Sequence, residues 1–166
     1  MVGRSKDLGV PHPPEVGLGR VILSGLIAGL VATGAKTLCE VISPPRPPGV
    51  LSPLGNALDA VSLSLTGMPD RAKAVSEPAV HLLFGTLAGG AFAGIERHVP
   101  QIRAGYGALF GVSFWLLVHE GVLPWLGLSP TPAQMTVREQ RNELVSHTVF
   151  GVVLESVRRA LLRTRG

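Results

Sequence analysis

Charge and cysteine are both scarce in this sequence. Asp, Glu, Lys and Arg make up 16% of the 166 residues, against 46% hydrophobic residues and a mean hydropathy of +0.37, which excludes an ordinary soluble domain of this size. The single cysteine, Cys39, lies inside an apolar run, so an intrachain disulfide framework and a Cys-rich metal site are both ruled out. A net charge of +4 and a pI near 10 do not amount to a nucleic-acid footprint, because the basic residues stand at the ends of apolar segments and form no stripe. Phosphate-cradling glycine loops, an HExxH spacing and a nucleophile–base arrangement are also missing, so neither an enzyme activity nor a cofactor is expected. The 21 glycines have no three-residue period and fall mostly in apolar runs, where small residues let helices approach closely.

What is present is a series of apolar runs long enough to cross a bilayer. The expected fold is all-α: a polytopic membrane protein whose four transmembrane helices, about 20–42, 79–96, 104–126 and 144–162, form a bundle. Residues 1–19, polar and broken by Pro11, Pro13 and Pro14, form an N-terminal segment too irregular for a signal-peptide leader, and 163–166 form a short tail. Ser76, Glu77 and Pro78 read as the start of the second span. Tyr106 and Trp125 stand near the ends of the third as interfacial aromatics, with Pro124 where that helix should kink or stop. The fourth run is interrupted by Glu155, Arg158 and Arg159, whose arginines can reach a headgroup region; an amphipathic helix lying in the interface is the rival reading.

In the connection 43–78, the run from Pro44 to Pro48 around Arg46 should be extended, since successive prolines fix φ and remove donors. Beyond it, Leu54, Leu58, Val61 and Leu65 recur at helical spacing opposite Asn56, Asp59 and Ser62, which predicts a short interfacial helix in the first extracytoplasmic loop; a loop packed over the bundle is the alternative. Four spans put both termini on one side. Lys and Arg number nine on that side against five on the other, which favours cytoplasmic termini.

Helical arithmetic at about 100° per residue gives the first span an inward face of Gly25, Gly29, Ala32, Thr33, Lys36 and Glu40, opposite Leu23, Leu26, Ile27, Leu30, Val31 and Leu38. Lys36 and Glu40 are an i,i+4 ion pair on that face. The second span aligns His81, Gly85, Ala88, Gly89, Phe92 and Glu96; the third contributes His119 and Glu120, and the fourth Glu143, His147, Gly151 and Glu155. Antiparallel passage brings Lys36, Glu40, His81, His119, Glu143 and His147 into one membrane half and sends Glu96 and Glu155 toward the other. Charges at that depth are costly and must find partners.

Lys36, Glu40, His81, His119, Glu143, His147 and Glu155 are therefore the candidate intramembrane polar site, read as proton-responsive or ion-interacting. The alternatives are a polar clamp that only fixes packing or serves assembly, a metal held by His81, His119 and His147 with Glu40 or Glu143, and a heme. The partner expected first is the lipid bilayer. A homo-oligomer is also open, with the small-residue stripes of Gly85 to Gly94 and Gly107 to Gly111 as contact faces.

Taken together these residues resemble the YagU-like bacterial inner-membrane proteins, a family of unknown biochemical function. The resemblance spans about Val21 to Arg159. It is carried by Gly25-Leu26-Ile27-Ala28-Gly29 with Lys36, Glu40 and Pro44-Pro45-Arg46; by His81 and Glu96 before Val99-Pro100; by His119 with Pro124, Gly127, Leu128 and Pro130; and by Glu143, His147, Glu155 and Arg158-Arg159. Residues 50–75 depart from the pattern, and Glu120 has no counterpart in it. The resemblance implies a bacterial inner-membrane location and a recurrent intramembrane polar set, without a substrate or reaction.

Overall fold

A computed structural model describes residues 17–64 and 70–163; most of the expected 1–19 segment, Leu65 and all of the tail but Arg163 lie outside the described residues. Every regular element among them is helical. Helix α1 covers Leu18–Ile42, α2 Pro53–Ser64 and α3 Asp70–Glu96. A third long rod is built from α4 (Ala108–Phe114), a π-helical stretch (Trp115–Val122) and α5 (Leu123–Trp125), and α6 runs from Val137 to Arg163. Single 3₁₀ turns lie at Pro100–Arg103 and Pro132–Gln134.

Three of the rods, Leu18–Ile42, Ser76–Glu96 and Ala108–Trp125, are long and apolar enough to cross a membrane. Their patterning is that of a membrane protein turned inside out relative to a soluble one. On α1, Gly25, Ala28, Gly29, Ala32, Thr33 and Lys36 are buried, while Leu23, Ile27, Leu30, Val31 and Leu38 are exposed. Helix α6 is of comparable length, 27 residues or about 40 Å at ~1.5 Å per residue. Its buried face, however, carries Asn142, Glu143, Ser146, His147, Glu155 and Arg158, so composition alone does not mark it as a span.

The rods alternate in direction, and their contacts show it. A Cβ on Gly89 would run into the Gly25 carbonyl and lie 2.6 Å from the Gly29 Cα, whereas Gly85 faces Thr33; rising numbers on α1 meet falling numbers on α3. In the same sense Glu40 meets Ser146 and Arg20 meets Leu162 between α1 and α6, and Gly107 and Gly111 pack on Gly151 and His147 between α4 and α6. The glycine stripes expected to serve an oligomer are thus used inside one chain, where they allow backbone-to-backbone approach. An aromatic and aliphatic core of Phe92, Phe110, Phe150 and Leu154 fills the centre, with Phe92 and Phe110 ring centroids 4.8 Å apart.

Several boundaries differ from the sequence reading. Helix α3 begins at Asp70 instead of 79, so Pro78 stands inside it; the helix formers Ala72 and Ala74 before it and the apolar run after it favour helix on both sides of one missing donor. The third rod starts at Ala108 instead of 104, because Gly105, Tyr106 and Gly107 all have left-handed backbone (φ 62°, 55° and 89°), which no helix accommodates. The far end of that rod agrees with the expected stop: it ends at Trp125, one residue past Pro124, and closes at Gly127 (φ 71°). The wider π turns precede the proline, whose ring would crowd the carbonyl of an α-helical preceding turn.

Candidate functional site

Three connections bring the polar residues together. The proline-rich arm after α1 folds back over the bundle: Pro45 is buried, the Pro44 carbonyl accepts a hydrogen bond from Asn142 Nδ2 at 3.0 Å, and Arg46 is thereby aimed at the bundle interior. Ser52 caps α2, its Oγ accepting from the Gly55 amide at 2.9 Å, and its hydroxyl also donates to Glu77 of α3. Asn56 Nδ2 then ties α2 to the Leu128 carbonyl at 2.9 Å. Helix α2 so roofs one end of the bundle.

Beneath this roof is a cavity of about 590 Å³ whose wall includes Lys36, Glu40, Arg46, His81, His119 and His147. Glu143 lies behind it, completely buried. Its Oε1 receives Arg46 Nη2 at 2.5 Å and lies 3.2 Å from His119 Nε2, and its Oε2 is 3.6 Å from His147 Nδ1. Lys36 and Glu40 form the i,i+4 ion pair, and Ser146 Oγ lies 3.4 Å from Glu40 Oε1. His81 lines the cavity from α3, partly buried.

Of the two buried imidazoles, one has its hydrogen-bond role fixed by its neighbour. His147 Nδ1 is 2.8 Å from the Glu143 carbonyl oxygen, which can only accept, so Nδ1 carries a proton and Nε2 of the neutral ring is an acceptor. His119 Nε2 lies between two partners, 3.2 Å from Glu143 Oε1 and 3.4 Å from Arg46 Nη2, so its tautomer decides whether it donates to the carboxylate or accepts from the guanidinium. Among the described residues, His119 Nδ1 is buried with no hydrogen-bond partner, as are Glu143 Oε2, Glu120 Oε1 and Trp115 Nε1. Both imidazoles thus lie beside one buried carboxylate.

Glu155 does not join this group. It lies one zone away on α6, twelve residues or about 18 Å from Glu143, also fully buried, and is held by Arg158 Nε at 2.7 Å and Arg159 Nε at 2.5 Å. Glu96 is in that second cluster, 2.8 Å from Arg103 Nη1 and 3.5 Å from Arg158 Nη2. Sequence reasoning missed Arg46 as a site residue. The signal was available in its setting, since an arginine flanked on both sides by rigid Pro-Pro pairs has its backbone direction largely fixed. Among the described residues, no three His, Cys, Asp or Glu side chains converge as metal ligands, so the expected metal set of His81, His119 and His147 has no geometric support.

A family model described as a protein of unknown function, DUF1440, matches residues 26–156. The chain belongs to the DUF1440 family. No curated protein and no solved structure matches it. The DUF1440 region contains the whole cavity cluster, from Lys36 to His147, and ends before Arg158, Arg159 and Arg163 of the second cluster.

Proposed function

We propose that this DUF1440 protein, YagU-like in its motifs, is a bacterial inner-membrane protein in which α6 also crosses the bilayer, both termini are cytoplasmic, and the cavity cluster is a non-enzymatic, pH-responsive proton- or ion-interacting site. The observation that carries the reading is Glu143, a completely buried carboxylate shared by Arg46, His119 and His147 at a cavity of about 590 Å³. Histidine is the side chain whose ordinary titration falls between about pH 5 and 8. On acidification a proton taken up by the histidine cluster adds a cation beside Glu143. That cation competes with Arg46 for the carboxylate, and release of Arg46 frees the proline arm and α2 above the cavity. The four-rod alternation supports the fourth crossing, and the charge count supports the orientation.

The site is tested in proteoliposomes made with a Trp125→Phe chain, in which Trp115, about one turn before His119 on the same π-helical stretch, reports packing. Acidification from about pH 8 to about pH 5 should shift Trp115 emission and change proton or ion flux, and both responses should be lost in the double variant His119→Gln/His147→Gln. An unchanged pH profile in that variant would make the cluster a passive clamp. For orientation, a Cys39→Ala background carrying Thr131→Cys should react with an impermeant thiol reagent applied outside the cell, whereas Gln101→Cys should be protected. The reverse pattern refutes cytoplasmic termini.

A further inference from the structure

The far end of the bundle contains a second pocket, about 460 Å³, walled by Glu96, Arg97, Arg103, Arg158, Arg159 and Arg163. Five guanidiniums face one another across it, and even with Glu96 and the underlying Glu155 counted there is an excess of three positive charges. Helix termini bring these residues together: the C-terminal end of α3 supplies Glu96 and Arg97, the turn after it Arg103, and the last two turns of α6 the rest.

Part of this pocket is rigidly built. Arg158 is buried, its Nε and Nη2 held on Glu155 at 2.7 and 3.2 Å and its guanidinium over the Phe92 ring at 5.6 Å. Arg159 is fixed on Glu155 through Nε and stacked over Tyr106, 5.0 Å from the ring centroid. Tyr106 holds that position at φ 55°, between two glycines of positive φ. A side-chain-bearing residue in this region is strained, and such strain collects where a geometry has a use. Neither Arg97 nor Arg163 is ion-paired among the described residues. Preorganised guanidiniums present forks of N–H donors that match phosphate oxygens two at a time.

We propose that this pocket binds a phosphate group, as a phosphate monoester or diester, on the guanidiniums of Arg97, Arg103, Arg159 and Arg163, with Arg158 and Glu155 as the fixed base. Two sources share that chemistry: the headgroup of an anionic lipid, which the place of the pocket at the ends of the apolar rods favours, and a soluble phosphate.

The test uses the purified full chain in neutral detergent and measures its thermal stability against added phosphatidylglycerol, phosphatidylcholine or inorganic phosphate. Phosphatidylglycerol alone raising stability assigns the site to lipid; inorganic phosphate acting as well assigns it to a soluble ligand. In either case Arg97→Gln/Arg163→Gln, which breaks no ion pair, should weaken the apparent affinity about tenfold or more, the equivalent of one charge-assisted contact. The control Arg138→Gln/Arg141→Gln, at the opposite end of α6, should leave it unchanged. No stabilisation by either probe, an unaffected pocket variant, or an equal loss in the control overturns the proposal. None of these outcomes touches the His119/His147 response, which is read separately by Trp115.

Discussion

Glu143 and Glu155 are the same residue type on the same helix, both with 0% exposure, and they are held in opposite ways. Glu155 is gripped by two arginines, which stay charged at every pH a cell meets, so its pairing has no means of changing. Glu143 has one arginine and two imidazoles, and one of its oxygens lacks a hydrogen bond. Burial and charge alone therefore do not identify a responsive carboxylate. On the proposed reading, the imidazoles among the partners of Glu143 do.

The largest expected effect comes from breaking the fixed end. Glu155→Gln leaves the buried Arg158 without its carboxylate, and breaking a buried pair on one side costs about 3–5 kcal/mol. The loss should be the same from about pH 5 to about pH 8, as measured by denaturant titration in detergent. Glu143→Gln should cost less, since Arg46 retains 23% exposure of its side chain and can turn toward water. That variant should instead erase the pH dependence of Trp115 emission. If the Glu155 variant were the one that lost it, the contrast between the two carboxylates would be wrong.

Next comes the packing that separates the two ends. A Cβ on Gly111 would run into the His147 carbonyl oxygen and lie 3.0 Å from its carbon. Both are backbone atoms on α6, which cannot swing aside as a side chain would. Gly111→Ala should thus push the third rod off α6, costing about 1–3 kcal/mol, and withdraw His119 from Glu143. Stability and the acid response should fall together, while binding at the arginine pocket remains. An intact acid response in a destabilised Gly111→Ala chain would show that the contact of His119 with Glu143 is dispensable.

How far the sequence could be read differs between local and distant features. The inward face of α1 was legible because Gly25, Gly29, Thr33, Lys36 and Glu40 obey one helical period and nothing else competes with it. The short helix at Pro53–Ser64 was legible from its apolar spacing. The contact of Arg46 with Glu143 was not, because it spans 97 positions and depends on the path of the proline arm, to which no periodicity applies. The π-helical turns at Trp115–Val122 were hidden for a related reason: they shift which side chains share a face by a fraction of a turn, and only tertiary packing selects them. Span counting met a different obstacle. On α6 the buried polar residues of the cluster are the same ones that lower its hydropathy, so polar clustering and apolarity are in conflict within one helix.

The smallest expected effect lies at the start of α6, just before Glu143. Thr136 and Glu139 form a reciprocal cap: the Glu139 amide donates to Thr136 Oγ1 at 3.3 Å, and the Glu139 carboxylate accepts from the Thr136 amide at 2.7 Å and its hydroxyl at 2.8 Å. The amide bond and then the hydroxyl bond hold the Glu139 carboxyl below its ordinary range. A depressed folded-state pKa stabilises above the ordinary carboxylate range and is lost as pH falls through the depressed value, well below the range in which histidine titrates. Thr136→Ala should therefore be mildly destabilising at neutral pH and less so in strong acid. The midpoint of the Trp115 response should stay where it is, because Glu139 is an exposed-end cap and Glu143 answers to the imidazoles. A shifted midpoint would mean that fraying of this helix end, and not titration at Glu143, sets the acid response.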